Sequence, residues 1–136
     1  MAADHSLKLL LTHNSFEEAN RVVSLLRNAN YRAESKHVDK LDVLSKLLES
    51  KPWDLIIAQF NGQDIPIKSV FTTIRKLNLD VPVILLTDEH SMTEIVEGLR
   101  LGAADVVPKP SGATSLDLKE KKGHDITRSA RNVLGL

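Results

Sequence analysis

Cysteine is absent from the 136-residue sequence, which excludes disulfides and thiolate metal sites and fits a reducing compartment. Net charge is absent as well, since 18 Lys and Arg balance 18 Asp and Glu. A neutral chain has no electrostatic grip on nucleic acid or anionic lipid, so neither is expected as a partner. The one basic cluster, Lys119 to Lys122, includes Glu120 and reads as a solvated linker. Long apolar runs are missing. The longest, Val81 through Pro82 to Leu86, falls far short of the roughly 20 residues needed to span a bilayer. Met1-Ala2-Ala3-Asp4-His5 lacks the basic-then-apolar layout of a signal peptide. There is no internal repeat or low-complexity tract. No Gly-x-Gly-x-x-Gly follows the first apolar run, which leaves a dinucleotide-dependent oxidoreductase unsupported. What remains is a soluble cytoplasmic domain, and the length suits one domain with its own core.

What is present is a series of short apolar runs separated by helical patterns. The clearest run is Leu55-Ile56-Ile57-Ala58-Gln59, which is too short for a helix and is bracketed by Pro52 and Gly62. It predicts a strand buried on both faces. Leu7 to Leu11 predicts an earlier strand, stopping at Thr12-His13-Asn14. Ser15-Phe16-Glu17-Glu18 has the form of a capping box, and Ala19, Val22, Val23 and Leu26 follow at helical spacing until Asn28-Ala29-Asn30. Tyr31 to Val38 predicts a polar edge strand. Asp39 is expected to cap a second helix with the stripe Leu41, Leu44, Leu47 and Leu48, which Lys51-Pro52 stops.

Beyond the central strand, Asn61 to Pro66 reads as a loop, with Pro66 in the first turn of a helix carrying Ile67, Val70, Phe71, Ile74 and Leu77. Val81 to Thr87 predicts the fourth strand. Ser91-Met92-Thr93-Glu94 is a second capping box, opening a helix with Ile95, Val96, Leu99 and Leu101 expected inward and Gly102 as its stop. Ala104 to Val107 predicts a fifth strand, closed by Pro108-Lys109-Pro110. Residues 111–124 read as a loop or linker. In residues 125–136, Asp125 could cap a final helix with Ile126, Ala130, Val133 and Leu134 on one face.

Alternating strands and helices with right-handed crossovers predict an α/β fold, a doubly wound five-stranded parallel sheet with helices on both faces. The length suits the flavodoxin-like strand order 2-1-3-4-5, in which ligands bind beyond the carboxyl ends of the strands. Four loops then gather there, bringing Thr12, His13 and Asn14, Gln59 and Asn61, Thr87 and Asp88, and Lys109.

Residues 7–110 resemble the receiver domain of two-component response regulators, a CheY-like fold, and residues 1–110 would form that core. The resemblance rests on Trp53-Asp54-Leu55-Ile56-Ile57-Ala58, Val81-Pro82-Val83-Ile84-Leu85-Leu86-Thr87, Leu101-Gly102-Ala103-Ala104-Asp105 and Lys109-Pro110, in order and at family spacing. It implies an aspartate phosphoacceptor ending the third strand, an acidic pair after the first that helps hold magnesium, a Thr or Ser and a Lys gripping the phosphoryl oxygens, and an aromatic switch on the fifth strand. Thr87 and Lys109 match, and Asn61 lies beside them. Gln59 stands at the acceptor position, Thr12, His13 and Asn14 replace the acidic pair, and Val106 replaces the aromatic. A carboxamide has no anionic oxygen to attack phosphorus, and without the acids magnesium is not expected. Asp54 and Asp105, at strand starts, are poor substitute acceptors; Asp64 and Asp88 are nearer. His13 has no companion ligand and is expected to be a surface loop residue.

The resemblance therefore implies a pseudo-receiver that is not an enzyme, with function moved to the surface. By likeness to phosphorylatable relatives, the face of the fourth helix, fifth strand and final helix would meet a protein partner, an attached output domain or a second copy. Asn20 to Ala29 together with Trp53 to Ala58 is similar to degenerate receivers ahead of bacterial GGDEF and EAL domains that handle cyclic di-GMP. Two alternatives stay open. One is a phosphorylatable regulator using a neighbouring carboxylate, and the other is a sensor holding an anion or small ligand in the emptied pocket.

Overall fold

The computed structural model describes residues 6–12, 16–28, 31–60, 65–87, 92–108, 126 and 128–135. The run at the centre of the sequence forms the middle strand of a five-stranded sheet. The elements are β1 (Ser6–Thr12), α1 (Phe16–Asn28), β2 (Arg32–His37), α2 (Leu41–Ser50), β3 (Leu55–Gln59), α3 (Ile67–Lys76), β4 (Val83–Thr87), α4 (Met92–Leu101) and β5 (Asp105–Pro108). A fifth helix, α5, contributes residues 126 and 128–134. The strand order is β2-β1-β3-β4-β5 with every pair parallel, as the alternation of elements predicts.

Every residue of β3 and of β4 is buried, which is why these strands read as continuous apolar runs rather than as alternating ones. Their side chains divide between two cores by strand alternation. Leu9, Leu11, Leu55, Ile57, Ile84 and Leu86 point to the side that α1 covers. Leu10, Ile56, Ala58, Val83 and Leu85 point to the side of α2 and α3. Each fully buried Leu or Ile contributes about 1.5–3 kcal/mol. The last helix belongs to this architecture. Ile126 and Ala130 are buried in the α1-side core, and Ser129 Oγ donates to Asp105 Oδ2 at 2.6 Å, tying α5 to the start of β5.

Local chemistry moves several boundaries from their expected places. The N-cap of α2 is Lys40, with extended backbone and no side-chain cap, so Asp39 does not cap this helix. Leu41 is 39% exposed, because its place in the first turn carries it past the sheet, whereas Leu44 and Leu48 are buried. At the other end of α2, Trp53 Nε1 donates to the Leu47 carbonyl at 2.8 Å, and the Lys51 ammonium lies 4.8 Å from the centre of the Trp53 ring. Pro66 is the N-cap of α3 rather than a first-turn residue. β4 begins at Val83, two residues later than expected, and β5 runs one residue further, through Pro108. Proline is tolerated there because β5 is an edge strand.

The largest departure is α4, whose buried residue is Gly98. Val96 and Leu99, expected inward, are 44% and 51% exposed. A Cβ built on Gly98 would lie 2.8 Å from Leu85 Cδ1 and 3.0 Å from Val106 Cγ2. The helix therefore rests its backbone on the sheet at Gly98, and the close approach turns the larger apolar side chains outward. Arg75 donates to the Leu101 carbonyl at 2.8 Å at the end of the same helix, and Gly102, with φ 115, makes the left-handed turn that stops it. Ser15, Ser91 and Asp125, expected as caps, and the linker at residues 111–124 lie outside the described residues.

Candidate functional site

Among the described residues four polar side chains are buried, and three of them end adjacent strands. Thr12 closes β1, Gln59 closes β3 and Thr87 closes β4, with exposures of 4%, 5% and 1%. The register aligns Thr12 with Ala58 and Gln59 with Leu86, and the Phe60 amide donates to the Leu86 carbonyl at 2.8 Å. The three strand ends therefore lie side by side at the carboxyl edge, where the crossovers of this topology leave a crevice. Alternation sends Gln59 to the side of Leu55 and Ile57, and Thr12 and Thr87 to the side of Leu10 and Leu85. The Oγ1 of Thr12 is buried and makes no hydrogen bond. Such orphans are uncommon in folded chains and are normally resolved by water or a ligand.

The described ends of β1, β3 and β4 carry no charged side chain. Among the described residues there, the donor set is two hydroxyls and one carboxamide. Magnesium binds hard anionic oxygens and gives up its water reluctantly, so these residues do not fit a magnesium site. Gln59 is an amide and carries no nucleophilic oxyanion. His13, Asn14, Asn61, Asp64, Asp88 and Lys109 lie outside the described residues.

Asp54 and Asp105 are both at the opposite edge, as their places at strand starts suggested. The carboxylate of Asp54 accepts from the Lys8 amide at 2.8 Å, and its own amide donates to the Lys8 carbonyl at 2.9 Å. Asp105 is engaged with Ser129 and with the Val106 amide. Neither reaches the carboxyl edge.

Val106 lies in β5 beside Leu85, half-buried, and supports Gly98 of α4. The strand position where an aromatic was expected thus forms part of the seat for α4. On the outer side of that helix Met92, Val96 and Leu99 are exposed, Met92 by 71%. Their spacing, i, i+4 and i+7, places all three on one stripe. Sequence periodicity missed this stripe because α4 carries apolar residues on two sides. The signal that separates the two sides is Gly98, a mid-helix glycine that marks a close backbone approach.

Residues 10–120 match the response regulator receiver domain model. The transcriptional regulatory protein PrrA of Mycobacterium leprae is 34% identical over 104 residues, which is 73% of this chain and 44% of that protein. A chain in the complex of the CheA3 P1 domain with CheY6 from R. sphaeroides superimposes with a TM-score of 0.75 at 18% identity, covering 98% of this chain and 100% of that one. The signal receiver domain of NarL from Mycobacterium tuberculosis gives 0.73 at 14% identity, over 96% and 98% of the two chains. The chain belongs to the response regulator receiver domain family, which works in signal transduction. It spans less than half the length of the curated relatives it matches.

Proposed function

We propose that this chain is a pseudo-receiver of the cytoplasm, a non-enzymatic interaction module that keeps the receiver fold and works without phosphorylation or magnesium. The observation that carries the reading is Gln59, buried at the end of β3, whose neighbours β1 and β4 end in Thr12 and Thr87, so that none of these three strands ends in a carboxylate. Acetyl phosphate with magnesium is expected to leave the intact chain without the mass increment of a phosphoryl group. A stable acyl phosphate would overturn the reading and point to Asp64 or Asp88 as acceptor.

With the pocket silent, function moves to the surface. The stripe of Met92, Val96 and Leu99 supports the face of α4, β5 and α5 as the place where a protein partner, an attached output domain or a second copy docks, since exposed apolar patches mark partner sites. The likeness of Asn20 to Ala29 to receivers ahead of GGDEF and EAL domains supports an output that handles cyclic di-GMP. PrrA, a transcriptional regulatory protein, supports a transcriptional output instead. The sequence of the full gene product decides between the two.

One observation favours a second reading. The unpartnered hydroxyl of Thr12 suits a small ligand in the emptied pocket. A ligand that binds only the folded state stabilises it by RT ln(1 + c/Kd) at free concentration c, and so raises the melting temperature as its concentration rises. On the pseudo-receiver reading, thermal shift against nucleotides and phosphate-like anions is flat. A dose-dependent rise that is lost in Thr12→Val would establish the ligand reading.

A further inference from the structure

The helices α2 and α3 cover the same side of the sheet, yet their outer flanks do not close on each other. Between them lies a cleft of about 460 Å³, open on its outer side and walled by Leu41, Asp42 and Glu49 of α2 and by Thr73, Lys76 and Leu77 at the end of α3. Each crossover returns the chain from the carboxyl edge of the sheet to the amino edge. Leu41, the first residue of α2, therefore marks one end of the cleft, and Leu77, the C-cap of α3, marks the other. Asp42 and Glu49 are seven residues apart and share one row of α2, which sets their carboxylates about 10 Å apart along one wall. The facing wall carries Lys76. The cleft is thus apolar at its ends and oppositely charged across its width.

We propose that the cleft between α2 and α3 is a docking groove for an amphipathic helix of a partner protein. That helix sets apolar side chains on Leu41 and Leu77, turns a basic flank to Asp42 and Glu49, and turns an acidic flank to Lys76. Grooves of this kind read anchors at i, i+3 or i+4, and i+7, and the seven-residue repeat matches the spacing of the two carboxylates. A second copy of this chain does not fit cleft against cleft, because two concave faces leave the space between them unfilled. A small molecule does not fit either, since the open side would keep much of its surface in water. Charge also fixes direction, because a helix laid in reverse would place like charges together on both walls. This groove is separate from the α4 stripe and from the strand ends, so it stands whether or not the chain is phosphorylated.

The test is a titration of the intact ¹⁵N-labelled chain with a synthetic helical peptide bearing leucines on one face, arginines on one flank and glutamates on the other. Amide shifts are expected to change in residues 41–49 and 73–77. Glu49→Lys, which places a cation in the last turn of α2 where the helix dipole favours it, is expected to weaken binding about tenfold with no loss of thermal stability. A peptide of the same composition with the charges mixed on both flanks is expected to bind at least as weakly. The proposal is overturned if the peptide does not bind, if the shifts map to α4 or to the strand ends, or if Glu49→Lys or the mixed-charge peptide binds equally well.

Discussion

Replacing Gly98 by leucine is expected to lower the unfolding free energy by about 3 kcal/mol or more, and by alanine by about 1 kcal/mol, read as the urea midpoint at unchanged slope. Two effects oppose each other in the alanine variant. Glycine in a helix interior is disfavoured by about 1 kcal/mol relative to alanine, so an ordinary site would gain that amount. Here the new methyl would stand 2.8 Å from Leu85 Cδ1 and 3.0 Å from Val106 Cγ2. Neither neighbour can yield easily. Leu85 is fully buried in the core beneath α4, and Val106 is β-branched, which restricts its χ1. Overpacking of this kind costs about 1–3 kcal/mol, so it outweighs the propensity gain. Leucine adds three more carbons to the same contact and forces α4 off the sheet. A stabilised Gly98→Ala variant would show that the Leu85 and Val106 side chains make room, and that α4 is not seated as described.

The same glycine explains where the sequence could be read and where it could not. β3 was legible to the residue, because a buried strand needs apolar side chains on both faces and Pro52 and Gly62 punctuate it. α1 was legible as well: Ala19, Val22, Val23 and Leu26 are the residues it buries. Both elements meet the sheet through large side chains, and periodicity counts large side chains. α4 meets the sheet through the absence of one, so the count favoured Val96 and Leu99 and gave Gly98 no weight. Leu41 failed for a related reason. It has the right phase for the α2 stripe, but one turn further on the helix is over the sheet and at Leu41 it is not. The strand ends were legible as positions, since Thr12, Gln59 and Thr87 are buried polar residues closing three adjacent strands. Val106 was read as a missing aromatic, and its packing role emerges only when α4 is placed above it.

The double variant Val96→Glu and Leu99→Lys is expected to abolish the signalling output of the intact gene product while leaving the fold as stable as before. Stability should hold because neither side chain is buried and both replacements suit their helical positions. A glutamate at position 96 would stand four residues before Arg100, the favourable order for an i, i+4 ion pair, and a lysine at position 99 lies in the last turn, where the helix dipole favours a cation. The expected change in unfolding free energy is within about 0.5 kcal/mol. Binding should respond very differently. If Met92, Val96 and Leu99 are the apolar centre of a docking face, two charges placed there without partners remove hot-spot contacts of about 2 kcal/mol each, which together is roughly a thousandfold loss of affinity. The chromosomal double variant should then match a strain from which this domain has been deleted, with the protein at wild-type abundance. Output indistinguishable from wild type would exclude the α4 stripe as the working surface. The groove between α2 and α3 would then be the place to look for the partner.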